Sequence, residues 1–210
     1  MHVVIIGNGV AGTTAARYLR KSSRSARITM ISDESEYFFS RTALMYVYMG
    51  HMKFHHIKPY EDWFWPKNRI DLVNARVVSI DFPNKELTLS TTEKMHFDKL
   101  LIATGSRSRF FDWPGQDLRG VQGLYSLQDL EKMERSTPRP FQVDHPVRSA
   151  VVVGGGLIGV ELVEMLLSRN IGVTMLVREN RLWGDVLTYE EGTRLGDHLR
   201  SHSIRIRTDA

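Results

Sequence analysis

Two glycine triplets carry the first chemical suggestion in this chain: Gly7-Asn8-Gly9-Val10-Ala11-Gly12 and Gly154-Gly155-Gly156-Leu157-Ile158-Gly159. Each follows a short continuous apolar run, residues 3–6 or 150–153. Each precedes apolar residues at helical spacing: Ala15, Ala16 and Leu19 after the first, and Leu162, Val163, Leu166 and Leu167 after the second. A glycine turn between a strand and a helix N-terminus suits an anion, because backbone N–H groups there lack partners and the helix dipole adds about half a positive charge. The first glycine permits the tight turn, the second the close approach of a pyrophosphate, and the third tight helix–strand packing. An acidic residue about 20 positions on can hold a ribose. Counted from the third glycine, Asp33 lies 21 residues on and Glu179 lies 20 on. The spacing points to two dinucleotide sites. The simplest chemistry for two dinucleotides in one polypeptide is hydride transfer between a nicotinamide and a flavin.

Other chemistries find little material. There is no cysteine, so these residues hold no disulfide scaffold, thiolate zinc site, iron–sulfur cluster or redox dithiol. That composition fits a reducing compartment. His51, His55 and His56 are near one another, with Glu61 the nearest carboxylate, but Gly50 and Pro59 flank them. They read as exposed loop histidines, and no metal site is expected. The 28 basic and 24 acidic residues give a net charge of +4, and the basic ones are scattered. A nucleic-acid partner is not expected from that pattern. The longest apolar stretch, residues 150–167, contains Glu161, Glu164 and four glycines. It reads as a strand, a turn and a helix rather than a membrane span, so no membrane partner is expected. Met1 and His2 lead straight into the first apolar run without a basic n-region, and a cytoplasmic location is expected.

The elements that must position the two turns follow from the same patterning. A length of 210 residues allows one large or two small domains. With 42% hydrophobic and 25% charged residues the chain is not of the disordered class. Residues 28–31 form a second apolar run closed by Ser32-Asp33-Glu34, which completes a β-α-β unit. The unit returns 147 residues later, with residues 173–177 as its second strand, ended by Arg178-Glu179. That separation is domain-sized rather than a solenoid period. Between the copies, residues 37–65 are rich in aromatics, read either as a core layer over the sheet or as a wall around a flat ring ligand. A helix is expected from about Arg41 to Met49, stopped by Gly50. Residues 77–80 and 87–89 flank Phe82-Pro83-Asn84-Lys85 as strand, turn and strand. Residues 100–103 are expected to form a buried strand ending at Thr104-Gly105-Ser106. Pro138, Pro140 and Pro146 mark residues 135–149 as a connector. A further helix (about 190–202) and the start of a strand (204–206) follow.

On these motifs the chain resembles the two-dinucleotide-binding-domain flavoproteins, the pyridine nucleotide–disulfide oxidoreductase-like family. The matching segments are residues 3–12, 28–34, 39–41, 100–105, 113–121 and 151–161. Within the family it looks most like the cysteine-free branch of ferredoxin and rubredoxin reductases and the flavin part of nitrite-reductase-type proteins. In that branch a short acidic stretch follows the second strand and an arginine comes a few residues later, here Ser32-Asp33-Glu34 and Arg41. The resemblance implies an α/β fold: a Rossmann-like FAD-binding domain over residues 1–112 with an inserted, incomplete Rossmann-like NAD(P)-binding domain over residues 113–210. It implies that Gly7, Gly9, Val10, Ala11 and Gly12 bind FAD, and that Gly154, Gly156, Leu157, Ile158 and Gly159 bind NAD(P)H. Asp33 or Glu34 would contact the adenosine ribose, beside Ser32, and Arg41 the flavin side or its phosphates. Val77 would contact the adenine by its backbone, and Ala103, Thr104 and Gly105 would line the flavin cleft. Glu161 would sit near the flavin–nicotinamide contact; the alternative is an exposed carboxylate in the first helical turn, favoured by the dipole.

Three departures qualify the resemblance. Ser32 stands where many members have the ribose-binding acid. Tyr46 stands where ferredoxin reductase relatives often carry a lysine, and Lys53, seven residues on, is separated from it by Gly50. The family usually runs to about twice this length, so an N-terminal fragment is expected. Glu179 favours NADH, since a carboxylate accepts from the ribose 2′-OH and repels a 2′-phosphate, whereas Arg178 and Arg181 lean toward NADPH. The expected activity is an FAD-dependent NAD(P)H oxidoreductase that passes electrons to a small redox protein or small acceptor, with no side chain singled out as catalytic. A homo-oligomer is compatible with that activity. The competing expectations are a nucleotide-binding module that docks a partner without turnover, and a membrane-surface quinone reductase hinted at by residues 60–65.

Overall fold

A computed structural model describes residues 1–138 and 146–210. The centre of the expected connector, residues 139–145, lies outside the described residues. In chain order the elements are β1 (His2–Ile6), α1 (Val10–Ser22), β2 (Arg27–Ser32), α2 (Leu44–Met49), α3 (Phe64–Lys67), β3 (Ile70–Asn74), β4 (Val77–Asp81), β5 (Glu86–Leu89), β6 (Lys94–His96) and β7 (Lys99–Ile102). They continue with α4 (Leu127–Ser136), β8 (Ser149–Val153), α5 (Leu157–Leu167), β9 (Gly172–Leu176), α6 (Tyr189–Ser201) and β10 (Arg205–Arg207). The chain forms two compact units. The first comprises Met1–Leu44, Lys53–Arg109 and Tyr125–Gln128; the second comprises Met45–Met52, Phe110–Leu124 and Asp129–Ala210.

In the first unit a parallel sheet runs in the order β3-β2-β1-β7. Val3 stands opposite Ile28 on one side and Lys99 on the other. A parallel sheet covered on both faces has continuous apolar strands rather than alternating ones, which explains the unbroken runs at residues 3–6 and 28–31. The two-residue period still sorts them. Val3, Ile5, Ile28 and Met30 pack with Ala16 of α1 and Trp65 of α3. Val4 and Ile31 pack the other way, against Leu87, Leu89 and Phe97 of the antiparallel β4-β5-β6 layer and its margin. Burying each such side chain stabilises the fold by about 1.5–3 kcal/mol.

The aromatic stretch belongs largely to this core. Tyr37, Phe38, Tyr60 and Phe64 pack against the α1-side cluster, and Tyr60 stacks on Phe64 at 4.3 Å. Trp63 is exposed instead. The helix expected over residues 41–49 is a 3₁₀ turn, Arg41–Ala43, followed by α2. Four elements had no sequence signal strong enough to be expected: β3, whose run is broken by Asp71 and Asn74, the short α3 and β6, and α4.

In the second unit a parallel sheet runs β10-β9-β8. Val152, Val173 and Met175 are buried, as are Val163, Met165 and Leu166 of α5. The opposite face of β8 is open: Val151 is 62% and Val153 55% exposed, and no described layer covers them as β4–β6 covers Val4. α6 opens with a reciprocal cap. The Thr188 side chain accepts from the Glu191 N–H at 3.3 Å, and the Glu191 carboxylate accepts from the Thr188 N–H at 2.9 Å.

A buried arginine fastens this unit. Arg169 Nη1 donates to the Thr137 carbonyl (2.6 Å) and Nη2 to the Tyr48 carbonyl (2.8 Å). Its guanidinium lies 3.5 Å over the Tyr48 ring. Thr137 Oγ1 donates to the Met133 carbonyl at 2.7 Å, so it accepts from the Tyr48 hydroxyl, also at 2.7 Å. Replacing Arg169 by alanine would remove one donor from each of two buried carbonyls, at about 1–3 kcal/mol each. Urea unfolding of Arg169→Ala is expected to show a loss of about 3 kcal/mol, with Arg169→Lys retaining part of it. An unchanged midpoint would show that the clamp contributes nothing.

Candidate functional site

Both glycine turns have the same local geometry. Gly7 and Gly154 adopt φ of +107° and +115°, the left-handed region where a Cβ is disfavoured. The Gly7 N–H donates to the Ile31 carbonyl at 2.7 Å and the Gly154 N–H to the Leu176 carbonyl at 2.8 Å. Each first glycine is thereby stitched to the neighbouring parallel strand. A Cβ on Gly12 would collide with the carbonyl oxygen of Gly7, and one on Gly159 with that of Gly154. The helix therefore rests directly on the turn.

The second glycine of each triplet faces open space. A Cβ on Gly9 or Gly156 would meet nothing within 4 Å. Both residues are helix N-caps without a side-chain cap bond, and neither helix has an acid in its first turn. The N–H groups of Val10, Ala11 and Gly12, and of Leu157, Ile158 and Gly159, open their helices and have no intrahelical partners. Each turn thus combines free donors, the positive end of a dipole and room for a ligand atom. That combination fits a pyrophosphate.

The turns differ at their margins. In the first, the end of β7 closes in: a Cβ on Gly7 would strike the Ala103 carbonyl, and the Ala103 N–H donates to the Ile6 carbonyl at 2.8 Å. Asn8 is buried there, and its amide donates to the Ser35 carbonyl at 2.8 Å while its own carbonyl accepts from Thr13 Oγ1 at 3.1 Å. Asn8 fills a variable position of the motif and Thr13 follows its last glycine, so the spacing does not single them out. The counterpart of Asn8 is Gly155, where a Cβ would strike the side chains of Val177 and Leu182.

The acidic residues sort by register. Ile31 and Leu176 play the same part in the two units, so Glu34, three residues on, matches Glu179, and Asp33 matches Arg178. Both glutamates are paired with an arginine. Glu34 receives Arg41 Nη2 at 2.6 Å and Nη1 at 2.8 Å; Glu179 Oε1 receives Arg178 Nη2 at 2.7 Å and Nε at 3.1 Å. The Arg178 hydrogen bond holds the Glu179 carboxyl below its ordinary range. Arg41 also donates to the Tyr125 carbonyl, and its guanidinium lies 4.3 Å over the Tyr125 ring. Glu34 Oε1 also accepts from the Leu127 N–H at 2.9 Å, and the Tyr125 hydroxyl accepts from the Ser106 N–H at 3.1 Å. Glu34, Arg41, the end of β7 and residues 125–128 are therefore one cluster. Nothing near Arg41 in sequence announces Tyr125, which lies 84 residues away.

The remaining expected residues are placed as follows. Asp33 is exposed beside this cluster, and Ser32 Oγ accepts from the Glu34 N–H at 3.3 Å. Val77 opens β4 at an irregularity in its pairing with β5, and its side chain packs into the Val4-side core. Glu161 is the fifth residue of α5, beyond the first turn, and half-buried. Burial, then the neighbouring Glu164 carboxylate, raises its pKa above the ordinary value. Arg181 donates to the Gly184 carbonyl at 2.9 Å. His56 Nδ1 accepts from the Lys53 N–H at 3.2 Å. Among the described residues no three His, Cys, Asp or Glu side chains gather as metal ligands, and no helix is long and apolar enough to cross a membrane.

Comparison with known proteins agrees with this geometry. The family model described as pyridine nucleotide-disulphide oxidoreductase matches residues 1–210. The biphenyl dioxygenase system ferredoxin–NAD(+) reductase component of Paraburkholderia xenovorans is 29% identical over 209 residues, covering 99% of this chain and 50% of that protein. The chlorobenzene dioxygenase ferredoxin reductase component of Cupriavidus sp. is 33% identical over 201 residues, covering 95% and 46%. The crystal structure of the ferredoxin reductase for the CYP199A2 system from Rhodopseudomonas palustris superposes with a TM-score of 0.89 at 27% identity, over 99% of this chain and 50% of that one. The chain spans about half the length of these relatives. With its whole length matched and both dinucleotide turns formed, the chain belongs to the pyridine nucleotide-disulphide oxidoreductase family.

Proposed function

We propose that this chain is the dinucleotide-holding part of an FAD-dependent NAD(P)H oxidoreductase that passes electrons to a small redox protein of the ferredoxin or rubredoxin kind. The observation that carries this reading is the recurrence of one open, uncapped glycine turn in two separate units. The names of the relatives support the acceptor class. The lack of cysteine fits an external acceptor better than a disulfide within these residues. FAD and a nicotinamide dinucleotide together supply hydride transfer, and the protein's part is binding, orientation and electrostatics.

Gly7, Gly9 and the first N–H groups of α1 hold the FAD pyrophosphate. Asp33 takes the adenosine ribose, because the Glu34 carboxylate is already committed to Arg41 and the Leu127 N–H. Arg41, held by Glu34, stands on the flavin side or by the phosphates, the Val77 backbone meets the adenine, and Ala103-Thr104-Gly105 lines the flavin side. Gly154, Gly156 and the first N–H groups of α5 hold the nicotinamide dinucleotide. Glu179, whose carboxyl the Arg178 hydrogen bond holds below its ordinary range, accepts from the ribose 2′-OH and disfavours a 2′-phosphate, so NADH is preferred over NADPH. Glu161 stands near the nicotinamide. The working location is the cytoplasm.

The direct test is an anaerobic absorbance titration of the FAD-loaded protein. NADH is expected to bleach the flavin band at lower concentration than NADPH. Failure of both nucleotides would move the assignment to a non-catalytic nucleotide-binding module.

Two glycine substitutions separate cradle from scaffold. Gly9→Asp places a carboxylate at an N-cap with open space around it, a favoured cap residue, so Tm is expected to hold while FAD affinity falls by about tenfold or more. Gly12→Ala is expected to lower Tm, because its methyl meets the Gly7 carbonyl. A Gly9→Asp variant that binds FAD normally would refute the cradle assignment.

Glu161 has a stability signature of its own. With its pKa raised in the folded state, its contribution is greatest when protonated and declines as pH rises through the ordinary glutamate value toward the raised one. Glu161→Gln is therefore expected to melt above the parent at pH 7, the gap narrowing toward about pH 4. A gap that widens on acidification would contradict the burial argument.

A further inference from the structure

A cavity of about 530 Å³ in the first unit has no part in the dinucleotide reading. Arg17, Arg20, Lys21 and Arg24 line it from the end of α1 and the following loop, and Lys67 and Arg69 from the end of α3 and just beyond. No carboxylate lines it, and none of the six cations is in a salt bridge among the described residues. The two sets are 43 or more residues apart in sequence, so no run of basic residues advertised them.

Two of the cations build the wall. Arg20 donates through Nε to the Asn68 carbonyl (2.7 Å), through Nη2 to that of Arg69 (2.7 Å), and through Nη1 to those of Ser23 (3.0 Å) and Arg24 (3.2 Å). Arg69 Nη2 returns to the Arg24 carbonyl at 2.6 Å. These bonds tie α1 to the loop after α3, and neither guanidinium is in a salt bridge among the described residues. Burial, then the Arg69 charge, lowers the pKa of Arg20.

The other four cations keep donors to spare. Arg17 lies 5.3 Å over the Tyr60 ring, Lys21 5.4 Å over Tyr18 and Lys67 4.8 Å over Trp63. Aromatic faces orient these groups without using up their N–H donors. The Arg24 carbonyl is engaged, but its guanidinium makes no hydrogen bond or ion pair among the described residues. The helix dipole accounts for cations in the last turns of α1 and α3, but not for Arg24 and Arg69, which lie beyond those helices.

We propose that this cavity is a separate anion site that binds a small polyphosphate, a di- or triphosphate group matched to the four spare cations. Its volume falls within the range of small-ligand sites, roughly 300–1,000 Å³. α1 has 13 residues and is about 20 Å long, which sets the cavity at the far end of that helix from the Gly7 turn. The ligand and a dinucleotide on the turn do not compete, and the inference does not rest on the oxidoreductase reading.

The test is calorimetric titration of inorganic tripolyphosphate into three forms of the chain at about 0.1 M salt, where charges beyond about 10 Å are screened. The parent is expected to bind with micromolar affinity. Lys21→Glu/Arg24→Glu/Lys67→Glu, which spares the Arg20 and Arg69 bonds, is expected to lose at least about tenfold with an unchanged circular dichroism spectrum. Gly9→Asp/Gly156→Asp, which places a carboxylate in each glycine turn, is expected to bind as the parent does. No binding by the parent, or binding lost from the glycine variant and kept by the charge variant, would overturn the proposal. So would a single-stranded RNA that binds the parent, and not the charge variant, where tripolyphosphate does not.

Discussion

The carbonyl oxygen of the first glycine in each turn occupies the space a methyl group on the third glycine would need. That close approach brings the helix onto the end of the strand. Glycine inside a helix costs roughly 0.5–1 kcal/mol relative to alanine, whereas a glycine N-cap forgoes only about a few tenths of a kcal/mol relative to a capping side chain. Gly9 and Gly156 leave open space at both helix starts. The surrounding architecture serves the same contact: a central parallel strand, a partner strand that receives the first glycine's N–H, and a helix packed along both.

The two units meet this constraint with different surroundings. In the first, the sheet is the middle of three layers, and a fourth strand brings Ala103 against Gly7. In the second, three strands suffice for the turn, and the outer face of β8 keeps two exposed valines. The second position of the motif follows its environment. Asn8 reaches a loop carbonyl, whereas Gly155 is squeezed by Val177 and Leu182. Each unit places a glutamate at the same register and holds it with an arginine, one from seven residues on and one from the preceding residue.

Arginine does much of the long-range organisation. Arg20 gathers carbonyls at residues 23, 24, 68 and 69; Arg41 joins Glu34 to Tyr125; Arg169 joins residues 48 and 137. The planar fork of five donors suits this work, since one side chain can satisfy several buried carbonyls in a fixed geometry. A lysine at the same places would present one point charge.

The local chemistry was legible in the residues themselves. Glycine spacing, the apolar runs and the helical period that follows them specify the strand–turn–helix unit, because they act through backbone conformation and nearest packing. The repeat at residue 154 and the family resemblance rest on those same short-range patterns. The partners drawn from far along the chain were not legible. Counting from the third glycine made Asp33 the counterpart of Glu179, whereas pairing across the sheet aligns Glu34 with it, because the first unit has two more residues between glycine turn and second strand. The commitment of Glu34 to Arg41 and Leu127, the return of Tyr125 to Gly105, and the convergence of six cations around one cavity depend on loop closure and the packing of whole layers. Sequence determined where the two glycine turns lie; only the tertiary structure decided which carboxylates are taken up by distant partners and where scattered positive charge collects, because both depend on contacts between residues that no local spacing relates.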